Sequence, residues 1–222
     1  MDLGTPARAI IPTLEAEVLT VLANVNTPLT GREVSRHLEA KSHRGVGLVL
    51  ERLRTQGVVD VTEAGNAYLF TLNRDHITFP AIQALVNLRG QLYSRMTAEV
   101  DTWKIPPVSV AVFGSMARGD GDVASDIDIL IVKPRELLSN GARRRKTRTE
   151  AEIEEYEDLW SEQTSEFARK IRRWSGNAAS LIQATQSQLN EMTNRKEPII
   201  ASIERDARYV WGPKILNSPK VK

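Results

Sequence analysis

The sequence predicts a mixed α/β chain of the α+β kind, built as two small units with a helical stretch between them. Three observations lead there. Two apolar, β-branched runs at 108–113 and 126–132 bracket a polar, glycine-rich loop, the pattern of strands covered on both faces. Helically spaced apolar residues fill the first third and give way to alternating segments on either side of Gly65-Asn66, as helices closed by a hairpin would. Between these units Ile82, Leu85, Leu88, Leu92, Met96 and Val100 recur at helical steps until Pro106-Pro107 stops the pattern. The divisions are 1–78, a helical linker over 79–104, a second unit over 105–212 and a polar, mobile tail over 213–222.

Composition narrows the class. With 222 residues the chain has room for two small cores, and 41% hydrophobic against 26% charged residues is an ordinary globular balance. Thirty Lys and Arg against 28 Asp and Glu leave only +2, so any nucleic-acid surface must be local. There is no cysteine, which excludes disulfides and thiolate metal sites. No apolar run approaches the roughly 20 residues of a membrane span, and the opening MDLGTPARAI lacks a signal peptide's apolar core. A cytoplasmic protein with no membrane partner is expected.

In the first unit, Leu14, Val18, Val21 and Leu22 mark a helix that Asn26-Thr27-Pro28 closes. Thr30 caps a second, with Glu33 completing a capping box. Ser42 starts a third, whose buried stripe is Val46, Val49, Leu50 and Leu53 and whose end is Gly57. Strands at 58–62 and 67–72 then form the hairpin. Three helices and a hairpin resemble a winged helix-turn-helix domain. The resemblance implies DNA binding, with the third helix in the major groove, and offers Arg32, Ser42, His43, Arg44, Arg52 and Arg54 as contacts, with Asn66 on the wing. The middle of that helix, Gly47, Leu48 and Glu51, is poor in base-reading groups, so docking of a protein or a homodimer is the alternative.

In the second unit the strand at 108–113 ends at Gly114, where the absent Cβ lets an anion approach the backbone. Ser115 then adds a hydroxyl and an N–H at a helix start. After the loop, Asp126 and Asp128 fall on one face of the next strand, with Ile127 and Ile129 on the other. Two carboxylates that close repel unless a cation lies between them, and a divalent ion with oxygen ligands suits.

Gly114-Ser115, ten residues, then Asp126-Ile127-Asp128 resembles the signature of the DNA polymerase beta-like nucleotidyltransferase superfamily, and GSMARGD with SDIDILI is similar to its minimal bacterial members. The resemblance implies a small mixed sheet flanked by helices. It makes Asp126 and Asp128 the catalytic, metal-holding pair for Mg²⁺ or Mn²⁺, with a nucleoside triphosphate such as ATP as donor and an acceptor that is a protein, an RNA or a small molecule. Gly114 and Ser115 would hold the triphosphate, Arg118 would neutralise phosphate charge, and Ser125 would cap or orient the aspartate loop.

The same resemblance implies a third carboxylate on a later strand, as metal ligand and general base. The strand expected at 178–184 has no acid, and Gln183 stands near the expected place with an amide that accepts no proton. Either Glu191 or a group on the acceptor takes that role, or the site binds nucleotide with reduced or no turnover, as in a DNA-binding regulator. One component of a toxin and antitoxin pair is a third reading. Arg143, Arg144, Arg145, Lys146 and Arg148 form a basic run ahead of an acidic helix start, and a last helix is expected over 199–211.

Overall fold

The computed structural model describes residues 1–38, 42–134 and 149–216. Among them the chain is mixed α/β and divides into two compact units, Met1–Gly90 and Gln91–Lys222. The basic run at 143–148 and the end of the tail, 217–222, lie outside the described residues.

The first unit runs α1 (Leu14–Asn24), β1 (Leu29–Thr30), α2 (Gly31–His37), α3 (His43–Thr55), β2 (Val59–Ala64), β3 (Ala67–Leu72) and α4 (Phe79–Val86). Local chemistry sets the starts. Thr30 and Glu33 form the reciprocal capping box at α2, and the Ser42 hydroxyl accepts from the Gly45 N–H at α3. The helices bury Val18, Leu22, Val34, Val46, Leu50 and Leu53 in one core with Val59, Leu72 and Ile82. The hairpin is not alone: β1 pairs antiparallel with β3, Leu29 opposite Phe70, giving a three-stranded sheet in the order β1-β3-β2. Two residues are too short a strand to show any alternation, so only tertiary pairing reveals it.

The helix expected over the linker is broken at Asn87. It is two helices, α4 and α5 (Leu88–Val100), and α4 packs on the first core through Phe79, Ile82 and Val86. Beyond Gly90, α5 belongs with the second unit. There Glu99 pairs with Lys170 at 2.7 Å, and the Thr97 hydroxyl donates to the Val210 carbonyl at 2.7 Å.

The second unit continues with β4 (Ser109–Phe113), α6 (Gly114–Arg118), β5 (Ile127–Lys133), α7 (Glu150–Ser175), β6 (Ala179–Thr185), α8 (Gln186–Asn194), α9 (Pro198–Asp206) and β7 (Arg208–Trp211). Its sheet is mixed, in the order β6-β5-β4-β7, with β5 and β6 parallel and the other pairs antiparallel. Ile127, Ile129 and Ile131 are fully buried on one face. Phe113, Leu130, Val132 and Ala184 pack on the other face with Leu189 of α8 and Ile200 and Ile203 of α9. Trp160 and Phe167 of α7 clasp Trp103 edge-on, at 5.8 and 5.5 Å between ring centroids.

The last helix expected over 199–211 ends at Asp206, and Arg208–Trp211 is instead the edge strand β7 on β4. Its alternating aromatic and β-branched residues suit a strand, and the Ser109 hydroxyl donates to the Trp211 and Pro213 carbonyls at 3.1 and 2.8 Å. No described helix is long and apolar enough to cross a membrane.

Candidate functional site

Phe113, the last residue of β4, lies opposite Asp128 on β5, so the turn that follows is built against that carboxylate. Gly114 has φ +69°, and a Cβ there would meet Asp128 Oδ2 at 2.5 Å. Both facts demand glycine: the left-handed backbone, and the closeness of the acid to the start of α6. The helix is only one turn. Gly119, at φ +85°, ends it by donating its N–H to the Ser115 carbonyl at 2.8 Å, and Asp120 N–H donates to the same oxygen at 3.1 Å. The Ser115 side chain, half-buried, makes no hydrogen bond to a described residue.

The loop before the aspartates is held from two sides. The Ser125 hydroxyl donates to Asp122 Oδ1 at 2.8 Å and accepts from the Asp122 N–H at 3.0 Å, while Ala124 N–H donates to Asp122 Oδ1 at 3.0 Å. These bonds favour the ionised acid and lower the Asp122 pKa, the Ser125 hydroxyl contributing most. Asn177, buried just after α7, donates its amide to the Ser125 and Asp122 carbonyls at 3.0 and 3.3 Å. Ser125 therefore orients the loop, with its hydroxyl engaged by Asp122.

Asp126 is exposed and Asp128 half-buried, and neither has a hydrogen-bond or ion-pair partner among the described residues. Burial first, then the Asp126 charge, push the Asp128 carboxyl above its ordinary pKa, with Arg118 pulling the other way. Arg118 is thus close enough to be felt by Asp128. Its guanidinium donates from Nε to Asp120 at 2.9 Å and from Nη1 to Asp206 at 2.6 Å. Asp206, the last residue of α9, was not found from the sequence. Nothing in an Arg-Asp pair at a helix end marks it, because its meaning comes from the packing of α6 on α9.

The two carboxylates fit a hard divalent cation, whose charge would favour the ionised Asp128 that burial and the Asp126 charge oppose. Among the described residues no cluster of three or more His, Asp or Glu stands ready for a metal. Mg²⁺ held by one or two carboxylates and substrate phosphates needs none.

Gln183 is not where the sequence reading set it. Parallel pairing puts Ser180 beside Asp128 and Ile182 beside Leu130, so alternation turns Gln183 to the opposite face, where its Oε1 accepts from Trp160 Nε1 at 2.6 Å. Ser180 and Ile182 hold the β6 positions on the aspartate face. Glu191 is exposed on α8 and pairs with Arg195 at 3.6 Å.

In the first unit, the DNA-contact candidates separate into engaged and open groups. Arg52 pairs with Glu15 of α1 at 2.8 Å and Arg54 with Glu51 at 2.5 Å, while the Ser42 hydroxyl serves as a cap. Arg32, His43, Arg44 and Asn66 are exposed with no ion pair to a described residue. Leu48, in the middle of α3, is 65% exposed, and nothing lies within 4 Å of a Cβ at Gly47.

Neither a curated protein nor a solved structure matches the chain. Residues 98–180 match the family model described as a nucleotidyltransferase domain, a stretch that begins in α5 and runs through β4, α6, the two aspartates and α7 into β6. Over that stretch, which is less than half of the chain, the second unit is similar to nucleotidyltransferase domains.

Proposed function

We propose that the second unit moves a nucleotidyl group from a nucleoside triphosphate, ATP among the candidates, to an acceptor hydroxyl. Asp126 and Asp128 would hold Mg²⁺ or Mn²⁺. The acceptor oxygen forms a bond to the α-phosphorus and the bond to pyrophosphate breaks. The backbone at Gly114 and the Ser115 hydroxyl, which no described residue engages, would face the triphosphate, and Arg118 would offset its charge. The cation, when bound, neutralises charge that develops on the phosphoryl oxygens. The observation that carries this reading is the Asp128 carboxylate packed close to Gly114 with no hydrogen-bond or ion-pair partner among the described residues, which leaves its oxygens for a cation.

Incubation of the protein with α-labelled triphosphates, Mg²⁺ and lysate tests it. A protein, RNA or small molecule should take up label, and Asp128→Ala should abolish the uptake. Label that persists in that variant rejects the site.

A second reading has its own support. Ser180 and Ile182 on the aspartate face of β6 offer no proton acceptor, which suits a domain that binds nucleotide without efficient turnover. The first unit, read as a winged helix-turn-helix, would then direct the chain to DNA as a regulator. Its element order and its open Arg32, His43 and Arg44 support that role, with backbone contact weighted over base reading because Leu48 and Glu51 occupy the middle of α3. Footprinting at low salt, with and without triphosphate, tests it; absence of any protection would reject DNA as the partner.

A further inference from the structure

Asp206 lies beyond the matched domain, yet its side chain is only 3% exposed and carries a charge. It accepts three charge-assisted hydrogen bonds: Arg118 Nη1 at 2.6 Å, Arg205 Nε at 2.8 Å and Arg205 Nη2 at 2.9 Å. An unpaired carboxylate so buried would be costly, so the geometry of both guanidiniums is tied to it. For Arg118 the tie is tight. Asp206 fixes Nη1, Asp120 fixes Nε, and a planar guanidinium held at two nitrogens cannot rotate, which leaves Nη2 as the nitrogen without a partner among the described residues.

That residue stands at the end of the turn that begins at Gly114, and its charge reaches Asp128. Asp206 and Asp120 together balance the charges of Arg118 and Arg205, so what the cluster offers a phosphate is the fixed direction of Nη2 rather than surplus charge. Asp206 also cannot be the absent general base: the arginines hold its pKa at about 2.

From this we infer that Asp206 is a positioning residue for triphosphate recognition: it aims the Arg118 guanidinium at the phosphates, and so makes α9 part of the nucleotide site. The inference rests on the nucleotidyl-transfer reading above. A carboxylate that merely pinned α9 to α6 would affect folding but would not separate triphosphate from monophosphate binding.

The test is titration of the full chain, with Mg²⁺, by a non-hydrolysable triphosphate analogue and by the matching monophosphate. Asp206→Asn, shown to be folded by circular dichroism, should weaken triphosphate binding about tenfold while monophosphate affinity changes less than about twofold. Asp206→Glu, which keeps the charge, should recover part of the loss. Arg118→Ala combined with Asp206→Asn should bind no more weakly than Arg118→Ala alone.

Unchanged triphosphate affinity in folded Asp206→Asn, or multiplying losses in the double variant, overturns the inference and leaves the reading intact. Absence of triphosphate binding by the unaltered protein overturns both. Should Asp206→Asn fail to fold, amide hydrogen exchange of the unaltered protein decides. The Ala207 N–H, bonded to the Ile203 carbonyl at 2.9 Å, should exchange more slowly with triphosphate bound, and unchanged exchange overturns the inference.

Discussion

Replacing Gly114 by alanine tests the turn that builds the site. Two costs apply, and one gain offsets them. An L-residue in the left-handed conformation that φ +69° requires costs roughly 1–2 kcal/mol. The new Cβ meets Asp128 Oδ2 at 2.5 Å, so that side chain must leave its rotamer, a further cost of about 0.5–1.5 kcal/mol. Restriction of the unfolded chain returns about 0.4–1 kcal/mol. The net loss is about 2 kcal/mol, or roughly 4–8 °C in Tm for a protein of this size. Urea unfolding followed by tryptophan fluorescence reads it directly, since Trp103 and Trp160 are buried in the same unit. The second cost needs the carboxylate and the first does not. Adding Asp128→Ala should therefore restore only the steric share, a coupling of about 1 kcal/mol. A Gly114→Ala protein within about 0.5 kcal/mol of the parent, or a double variant whose losses simply add, would refute the packed carboxylate.

Other outcomes follow from the same physics. Because burial and Asp126 raise the Asp128 pKa, its ionised form opposes folding. Stability is gained as pH falls through the folded value toward the unfolded one, and Asp128→Asn should melt higher than the parent at neutral pH in calorimetry while losing any Mg²⁺-dependent rise in Tm. Asp206 behaves oppositely. Its pKa drops from an ordinary 3.8 to about 2, so it contributes stability that is present above 3.8 and lost as pH falls through 2. Denaturant midpoints of Asp206→Asn and the parent should converge as pH drops toward 2, and a gap that persists there would contradict the pairing. Ser42→Ala removes the cap of α3 and should cost the first unit about 1 kcal/mol in urea unfolding, with Ser42→Asp recovering most of it.

The sequence made the local features readable. Thr30 with Glu33 and Ser42 announce helix starts because caps are made within a few residues, and the alternation around Gly65-Asn66 announces β2 and β3. The turn at Gly114-Ser115 between two strands, with Asp128 on the second, was legible for the same reason: strand, turn and alternation are short-range patterns. What failed depended on partners far along the chain. The strand β7 was read as helix because it exists by pairing with β4, and β1 went unseen because β3 makes it. Gln183 was set beside the aspartates because composition identifies a strand without fixing its register, and one residue of register exchanges the faces. Asp206 was missed because Arg118, the partner that ties it to the turn at Gly114, lies 88 residues away, while the adjacent Arg205 marks nothing by itself.

The edge strand β7 has a consequence for how the unit is made. Arg118 and its anchor are 88 residues apart, and β4 waits about as long for its second neighbour. At about 5–20 residues per second of synthesis, that is roughly 4–18 s in which Asp126 and Asp128 are already made while one edge of β4 stands open and Arg118 is untethered. During this interval the apolar run of β4 is an aggregation hazard for the nascent chain. Closure of the sheet by its last strand, and completion of the arginine anchor just before it, therefore coincide at the end of folding, so a chain cut short before α9 lacks both at once.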